Sequence, residues 1–303
     1  MLEAVLRLIG ERAPIMGIAA RGRVSAGGAT HLLQAKDGWI AVSLARQSDI
    51  DSVEAWLGSA DFDAVSTHLR ADLVAQAELL GMPVAAVGEH AGPAIVRHAY
   101  QRIAPTCRTD GTRTNRVGVI DLSSLWAGPL ATRLMAEAGA YVLKVESTKR
   151  PDAGRIGSPA FYRRLNAHKT LVALDLSTKP GVDELRHLIN NADVVVESSR
   201  PRALEQLGIV AADFLQRDDG LRVWASITGY GRGSNRVAFG DDAAVAGGLV
   251  RPGPAFMDDA LADPLTGLRA ASAIFEALKH DEPCVLDIAM AGVVREVAGT
   301  PGE

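Results

Sequence analysis

Cysteine is nearly absent from the 303-residue chain: there are two, Cys107 and Cys284. They form no C-x-x-C pair and no metal-ligand spacing, which excludes a thiolate metal centre and a disulfide-built scaffold and points to a reducing compartment. Cys284 lies in the apolar run Pro283–Met290 and reads as a buried strand residue, not a nucleophile. Long hydrophobic runs are missing too, so no membrane-spanning helix is expected. Met1–Gly10 has apolar spacing but carries Glu3 and Arg7, and so reads as a helix and not a signal peptide. No excess of basic charge exists: the formal net charge is −4 and the isoelectric point about 6.0, so nucleic-acid partners are not expected. The sequence contains no G-x-G-x-x-G, no H-E-x-x-H and no G-x-S-x-G, which removes the support for dinucleotide, zinc-hydrolase and serine-hydrolase readings. No metal is expected.

What is present is a globular balance, 48% hydrophobic and 22% charged, long enough for one large or two moderate domains. Residues 1–103 read as a small α+β domain. Thr30–Leu33 and Trp39–Leu44 look like strands around the turn Lys36-Asp37-Gly38, Asp49–Leu57 and Ala60–Leu80 have helical periodicity, and Val84–Val87 is a short strand candidate. Residues 104–116 are polar and turn-rich and read as a linker.

From 117 to 303 strands and helices alternate. Strands are expected at Val117–Leu122, Tyr141–Glu146, Leu171–Leu176, Val194–Glu197, Leu221–Thr228 and Cys284–Ile288. Helices are expected at Pro129–Gly139, Pro180–Asn191, Pro201–Leu207 and Leu265–His280. Strands separated by helices of this length imply βαβ crossovers. The fold class is therefore α/β: an open, mostly parallel Rossmann-like sheet with helices on both faces, plus the smaller α+β domain.

Ligands of open α/β sheets bind beyond the carboxyl ends of strands. The first strand runs into Ser123-Ser124-Leu125-Trp126-Ala127-Gly128-Pro129. A small-residue turn before a helix N-terminus is either an anion site or a tight connection. The second strand carries Lys144 and Glu146, with Lys149 and Arg150 beyond it, a run that is either phosphate-facing or simply solvated. Asp263-Pro264 stands at a helix start. Asp is a favoured N-cap and Pro a favoured first helical residue, which gives a structural reading. A carboxylate there is also favoured in its ionised form, as a nucleophile must be. Asp241-Asp242, after Gly240, either caps a second helix or sets a carboxylate beside the first.

Four segments in order resemble the class III (CaiB/BaiF-type) CoA-transferase family: VIDLSSLWAGPLATRLMAEAGAYVLKVES, LVALDLSTKPGVDELRHLINNADVVVESSRPRALEQLGI, LRVWASITGYGRG and DDALADPLTGLRAASAIFEAL. The resemblance runs from about Val117 to Met290. It implies a cytoplasmic enzyme that moves CoA, as substrate and product, between an acyl-CoA and a carboxylic acid. Asp263 matches the aspartate that forms the anhydride and thioester intermediates, and Asp241 stands beside it as a second catalytic candidate. Ser124, Leu125, Trp126, Ala127, Lys144, Leu174, Ser177 and Ser198 match CoA-contacting positions. Where racemase members have histidine, this chain has Asp241, which weighs against 2-methylacyl-CoA racemase chemistry; that isomerase and a weakly active acyl-CoA-binding subunit are the alternatives. Gln206 occupies a position where a basic residue often meets the phosphates, a role open to Lys149, Arg200 or Arg202. Residues 1–90 resemble the part that usually follows the βαβ half, so the chain is expected to be a small-domain-first member with shortened ends. Family members pair, so an interlocked homodimer is expected.

Overall fold

The computed structural model describes residues 2–19, 21–102, 116–199, 201–217 and 220–299. They fall into two compact units: one comprises Met1–Ala94, Thr228–Thr266 and Ala289–Glu303, the other Ile95–Ile227 and Gly267–Ile288. This partition differs from the expected 1–103 and 117–303 boundaries, because residues 228–266 and 289–303 cluster with the N-terminal segment. Of the expected linker 104–116, only Arg116 is described.

The first unit is built on β1 (Thr30–Ala35), β2 (Gly38–Ser43) and β3 (Val84–Ala86), in the order β1-β2-β3. β1 and β2 form an antiparallel hairpin that pairs Thr30 with Ser43 and Ala35 with Gly38. Gly38 takes φ +148° at the turn, a conformation that suits glycine. Alternate residues face opposite sides of the sheet. Ile40 and Val42 pack with Trp56, Leu57, Val65, Leu73 and Met82, and the Trp56 indole donates to the Leu73 carbonyl at 2.8 Å. Leu32 and Ala41 face the other way, onto Val245 and Phe256. Val245 belongs to the helix Gly240–Ala246, which is short in side-chain bulk and packs closely: Ala246 meets Ala85 and Ala291. The short pair β10 (Val250–Arg251) and β11 (Ala255–Phe256) is antiparallel.

Two expected helices are interrupted. Ala60–Leu80 is a 3-10 turn, Phe62–Thr67, followed by the helix Arg70–Leu80. The Asp61 carboxylate accepts from Asp63 N–H at 2.9 Å, and extended His68 ends the turn. Asp49–Leu57 divides at Ser52 into Gln47–Asp51 and Val53–Leu57.

The second unit holds β4 (Ile95–Ala99), β5 (Gly118–Leu122), β6 (Tyr141–Ser147), β7 (Thr170–Leu174), β8 (Val194–Glu197), β9 (Val223–Thr228) and β12 (Cys284–Ala289), ordered β4-β12-β9-β8-β5-β6-β7. β9, β8, β5, β6 and β7 run parallel, and β4 pairs antiparallel with β12 at the edge. Parallel strands need crossovers: the helix Ala127–Glu137 links the neighbours β5 and β6, and Lys179–Asn190 leads from the edge strand β7 back to β8 beyond them. The core includes Ile120, Val195, Trp224, Leu185, Ile189 and Leu215. No sequence pattern marks β4: it is mostly exposed, without the apolar alternation that signals a strand. Cys284 is buried at the start of β12, as expected, while Cys107 lies outside the described residues. Among the described residues no helix is long and apolar enough to cross a membrane.

Candidate active site

In the second unit, the carboxyl ends of β5, β6, β7 and β8 lie side by side, with Leu122 opposite Glu197 and Ser147 opposite Leu174. Ser124–Ala127, Leu174, Ser177 and Ser198 therefore share one edge of the sheet. The turn after β5 is held from both sides. Ser124 N–H donates to Ser198 Oγ at 2.9 Å, and Leu125 N–H donates to both Asp152 carboxylate oxygens at 3.2 Å. Leu125 takes φ +67°, which side-chain-bearing residues rarely adopt, yet its side chain is 43% exposed. Strain of this kind persists only where the surroundings impose it. Trp126 is buried, with its ring edge-on to Phe161 at 5.0 Å. Ser177 is exposed and caps Asp175, donating Oγ–H at 2.5 Å.

Lys144 differs from its expected ligand-facing position. It is fully buried, and its ammonium donates to the Ser123 carbonyl and to Asp152 Oδ2, 3.2 Å away. It braces the turn from within. Asp152 in turn is held by its own N–H, which donates to Glu146 Oε2 at 2.9 Å. Glu146 also accepts from Arg155 at 2.9 Å and from the Tyr162 hydroxyl at 2.5 Å. Burial opposes ionisation of Glu146, but these donors outweigh it and lower its pKa. Below the turn, Asp121 is buried and accepts from Ser123, Thr132 and Lys169. Burial raises its pKa, and the two lysines and the hydroxyls override this and hold it below the carboxylate range.

No local sequence signal singles out Asp152, Asp121 or Lys169. Asp152 sits just past the basic pair Lys149-Arg150, whose charge is the louder signal; yet Lys149 is exposed, 3.7 Å from Asp175. Arg200 lies outside the described residues. Asp152→Asn is expected to loosen the Leu125 turn and cost about 1–3 kcal/mol, since one acceptor of a buried charged set is weakened. Urea denaturation would measure it, and an unchanged midpoint would remove Asp152 from this role.

In the first unit, four aspartates gather around Gly240 and Ala260. Asp263 is the second residue of the helix Ala262–Ala277, so it lies within the first turn and not at the expected cap position. The helix begins earlier because Asp263 N–H already donates to the Ala260 carbonyl at 2.9 Å. Ala260 takes φ +45°, and its N–H donates to Asp241 Oδ1 at 2.9 Å. Asp241 and Asp242 stand in the first turn of Gly240–Ala246; Asp242 Oδ1 reaches back to accept from Phe239 N–H at 2.9 Å. Asp242 is fully buried, and burial pushes its pKa up to about 7, against the donors Ser43 and Phe239. Burial likewise raises Asp241, against donors from Ala260, Thr30 and Ser25. Asp259 is raised to about 6 by burial, opposed by Arg12, whose guanidinium lies 2.6 Å away.

Glycine is required at 240. A Cβ there would overlap Asp263 Oδ2 and lie 2.7 Å from the Ala260 carbonyl oxygen. Gly240→Ala is therefore expected to displace the Asp263 carboxylate and cost about 1–3 kcal/mol through overpacking. Thermal unfolding would show this, and a variant as stable as the parent would contradict the close packing.

An open, mostly parallel sheet with a braced strand–helix turn at its carboxyl edge defines a Rossmann-like α/β protein. The chain belongs to CoA-transferase family III, whose profile matches residues 115–300. It is 32% identical over 181 residues to the probable fatty acyl-CoA transferase Rv3272 of Mycobacterium tuberculosis, covering 54% of this chain and 46% of that protein. It is 32% identical over 183 residues to the human (Homo sapiens) succinyl-CoA:glutarate CoA-transferase, covering 54% and 40%. The crystal structure of Rv3272 superposes with a TM-score of 0.54 at 28% identity, over 64% of this chain and 56% of that one. A CAIB/BAIF family protein from Brucella suis gives 0.54 at 26%, over 60% and 54%. The chain spans about half the length of the curated relatives it matches.

Proposed function

We propose that the protein transfers CoA between an acyl-CoA and a carboxylic acid, with Asp263 as the carboxylate that takes up the acyl group. The observation that carries this reading is the seat of Asp263. It is half-buried in the first turn of a helix, against a glycine that leaves room for its carboxylate. The backbone N–H groups of a first helical turn favour the ionised nucleophile.

The reaction is written in four exchanges. Asp263 attacks the thioester carbonyl, the C–S bond breaks, and CoA thiolate leaves behind an acyl-aspartyl anhydride. The thiolate attacks the Asp263 carbonyl, releasing the donor acid as carboxylate and leaving an aspartyl-CoA thioester. The acceptor carboxylate attacks that thioester and expels the thiolate, forming a second anhydride. The thiolate then attacks the acceptor's carbonyl, giving the new acyl-CoA and restoring Asp263.

Ser124, Leu125, Trp126, Ala127, Leu174, Ser177 and Ser198 are the proposed CoA-contacting set, supported by their common position at the carboxyl edge of the sheet. Lys144 acts through the turn it braces. Asp241 is assigned to holding Ala260, the acceptor of Asp263 N–H, and not to proton abstraction. The family likeness also supports a cytoplasmic homodimer, which light scattering and cell fractionation would check. Incubation with an acyl-CoA, hydroxylamine trapping and peptide mass spectrometry tests the nucleophile: a hydroxamate at Asp263 is expected, and its absence with a panel of acyl-CoAs would remove the reading.

A further inference from the structure

The N-terminal segment lies outside the family match, yet it delivers side chains to the acidic cluster. β1 and β2 pair Thr30 with Ser43, and both are buried. Their hydroxyls link two carboxylates in a line. Asp241 Oδ2 is 3.3 Å from Thr30 Oγ1, Thr30 Oγ1 is 2.8 Å from Ser43 Oγ, and Ser43 Oγ is 2.8 Å from Asp242 Oδ1. Three links join four oxygens. Each hydroxyl owns one hydrogen and an ionised carboxylate owns none, so two hydrogens must fill three links. The line is complete only when one carboxyl carries a proton. With the proton on Asp241, that carboxyl donates to Thr30, Thr30 to Ser43 and Ser43 to Asp242. With the proton on Asp242, every bond reverses.

We propose that Asp241 and Asp242 share one proton through the Thr30 and Ser43 hydroxyls, so that the N-terminal segment sets the charge beside Asp263. The exchange is neutral: one O–H bond breaks at one carboxyl, one forms at the other, and each hydroxyl passes on its hydrogen as it gains another. Asp263 connects to this pair through Ala260, which donates to Asp241 and accepts from Asp263 N–H. A shared proton leaves the pair with one negative charge in place of two, which lowers the repulsion on a nearby Asp263 carboxylate. That consequence rests on the transferase reading; the proton sharing itself does not. Thr30 and Ser43 are thus positioning residues.

The surroundings agree with a single proton. The pKa values of both carboxyls are raised, mainly by burial, and Asp242 Oδ2 accepts no hydrogen bond among the described residues. Among the described residues the other facing groups are these. Arg12 neutralises Asp259, with Asp258 beside it, and also acts on Asp241. Ser25 supplies a further hydrogen bond to Asp241. Tyr230 is held protonated by burial and by Asp242. Arg236 is paired with Glu89, near His90, and Arg295, on the helix packed against Gly240–Ala246, donates to the His90 carbonyl. Arg46 lies 5.8 Å from the centre of the Phe239 ring.

Infrared titration of the full chain with carboxyl-labelled aspartate tests the sharing directly. A protonated-carboxyl band that titrates above the usual carboxylate range is expected. Ser43→Ala should raise its midpoint by about one pH unit, because a donor to the charged form is lost, and Thr30→Val should shift its frequency. Thr30→Ser, which keeps the hydroxyl, should restore the parent spectrum. A wild-type protein with no such band below that midpoint, or folded Ser43→Ala and Thr30→Val variants with the parent spectrum, would overturn the proposal. Kinetically, Ser43→Ala should lower kcat about tenfold with KM for the acyl-CoA unchanged, and move the acid limb of the pH profile upward. If the band behaves as expected but no Asp263 adduct forms in the wild type, the transferase reading falls and the shared proton stands.

Discussion

Replacement of Asp263 by alanine is expected to abolish the trapped adduct and to lower CoA transfer by about a thousandfold or more, as loss of a covalent nucleophile does. The expectation follows from the proposed chemistry, in which each of the four exchanges passes through the Asp263 carbonyl or carboxylate. Removing it leaves no acyl acceptor, and binding energy alone cannot substitute. The fold should survive. Asp263 is half-buried in a helix first turn, where losing an acidic side chain costs about 0.3–1 kcal/mol. Asp263→Asn, which keeps the shape and removes the nucleophilic charge, should be inactive as well. Stopped-time assays of acyl-CoA exchange together with thermal unfolding would separate the two effects. Adducts that persist on Asp263→Ala protein would place the nucleophile elsewhere, with Asp241 and Asp259 the next carboxylates to examine.

The second large effect is on stability. Lys169→Met is expected to cost about 3–5 kcal/mol, because it removes one member of a buried ion pair and leaves the other charged. Lys169 and Asp121 are both completely buried, 2.9 Å apart, and Lys169 also donates to the Pro129 carbonyl at 2.9 Å. Asp121 retains its hydroxyl donors and the field of Lys144, but not the adjacent cation. Because its folded pKa lies below its unfolded value of 3.8, its contribution is present above that pH and is lost as pH falls toward the folded value. Without Lys169 the folded pKa rises, so acid unfolding should begin at higher pH. Denaturant titrations at neutral and acid pH would measure both. The double change Lys169→Met with Asp121→Asn should cost less than Lys169→Met alone, since the stranded charge is gone. A single-variant loss below about 1 kcal/mol would show that the pair is replaceable.

The two sites differ in how far they could be read beforehand. The helix Ala127–Glu137 and the strands β5 to β9 announce themselves through periodicity, because apolar spacing is a local consequence of burying one face. The Asp263 position was legible as a carboxylate at a helix start, although the helix begins one residue before it. Lys144 is expected as a CoA contact because its position matches the family's, whereas the basic run by itself leaves a phosphate-facing and a solvated reading open. Its burial against Asp152 depends on where residue 152 returns, which no local pattern encodes.

By itself, the sequence determined the alternation of strands and helices, the open α/β class, and the segments that carry the family likeness, since these rest on composition and short-range spacing. The tertiary structure alone decided that residues 228–266 and 289–303 cluster with the N-terminal segment, and that Thr30 and Ser43 meet Asp241 and Asp242. Those contacts join residues about 200 positions apart. Their strength comes from burial, which turns ordinary hydroxyls and carboxyls into groups that must satisfy one another.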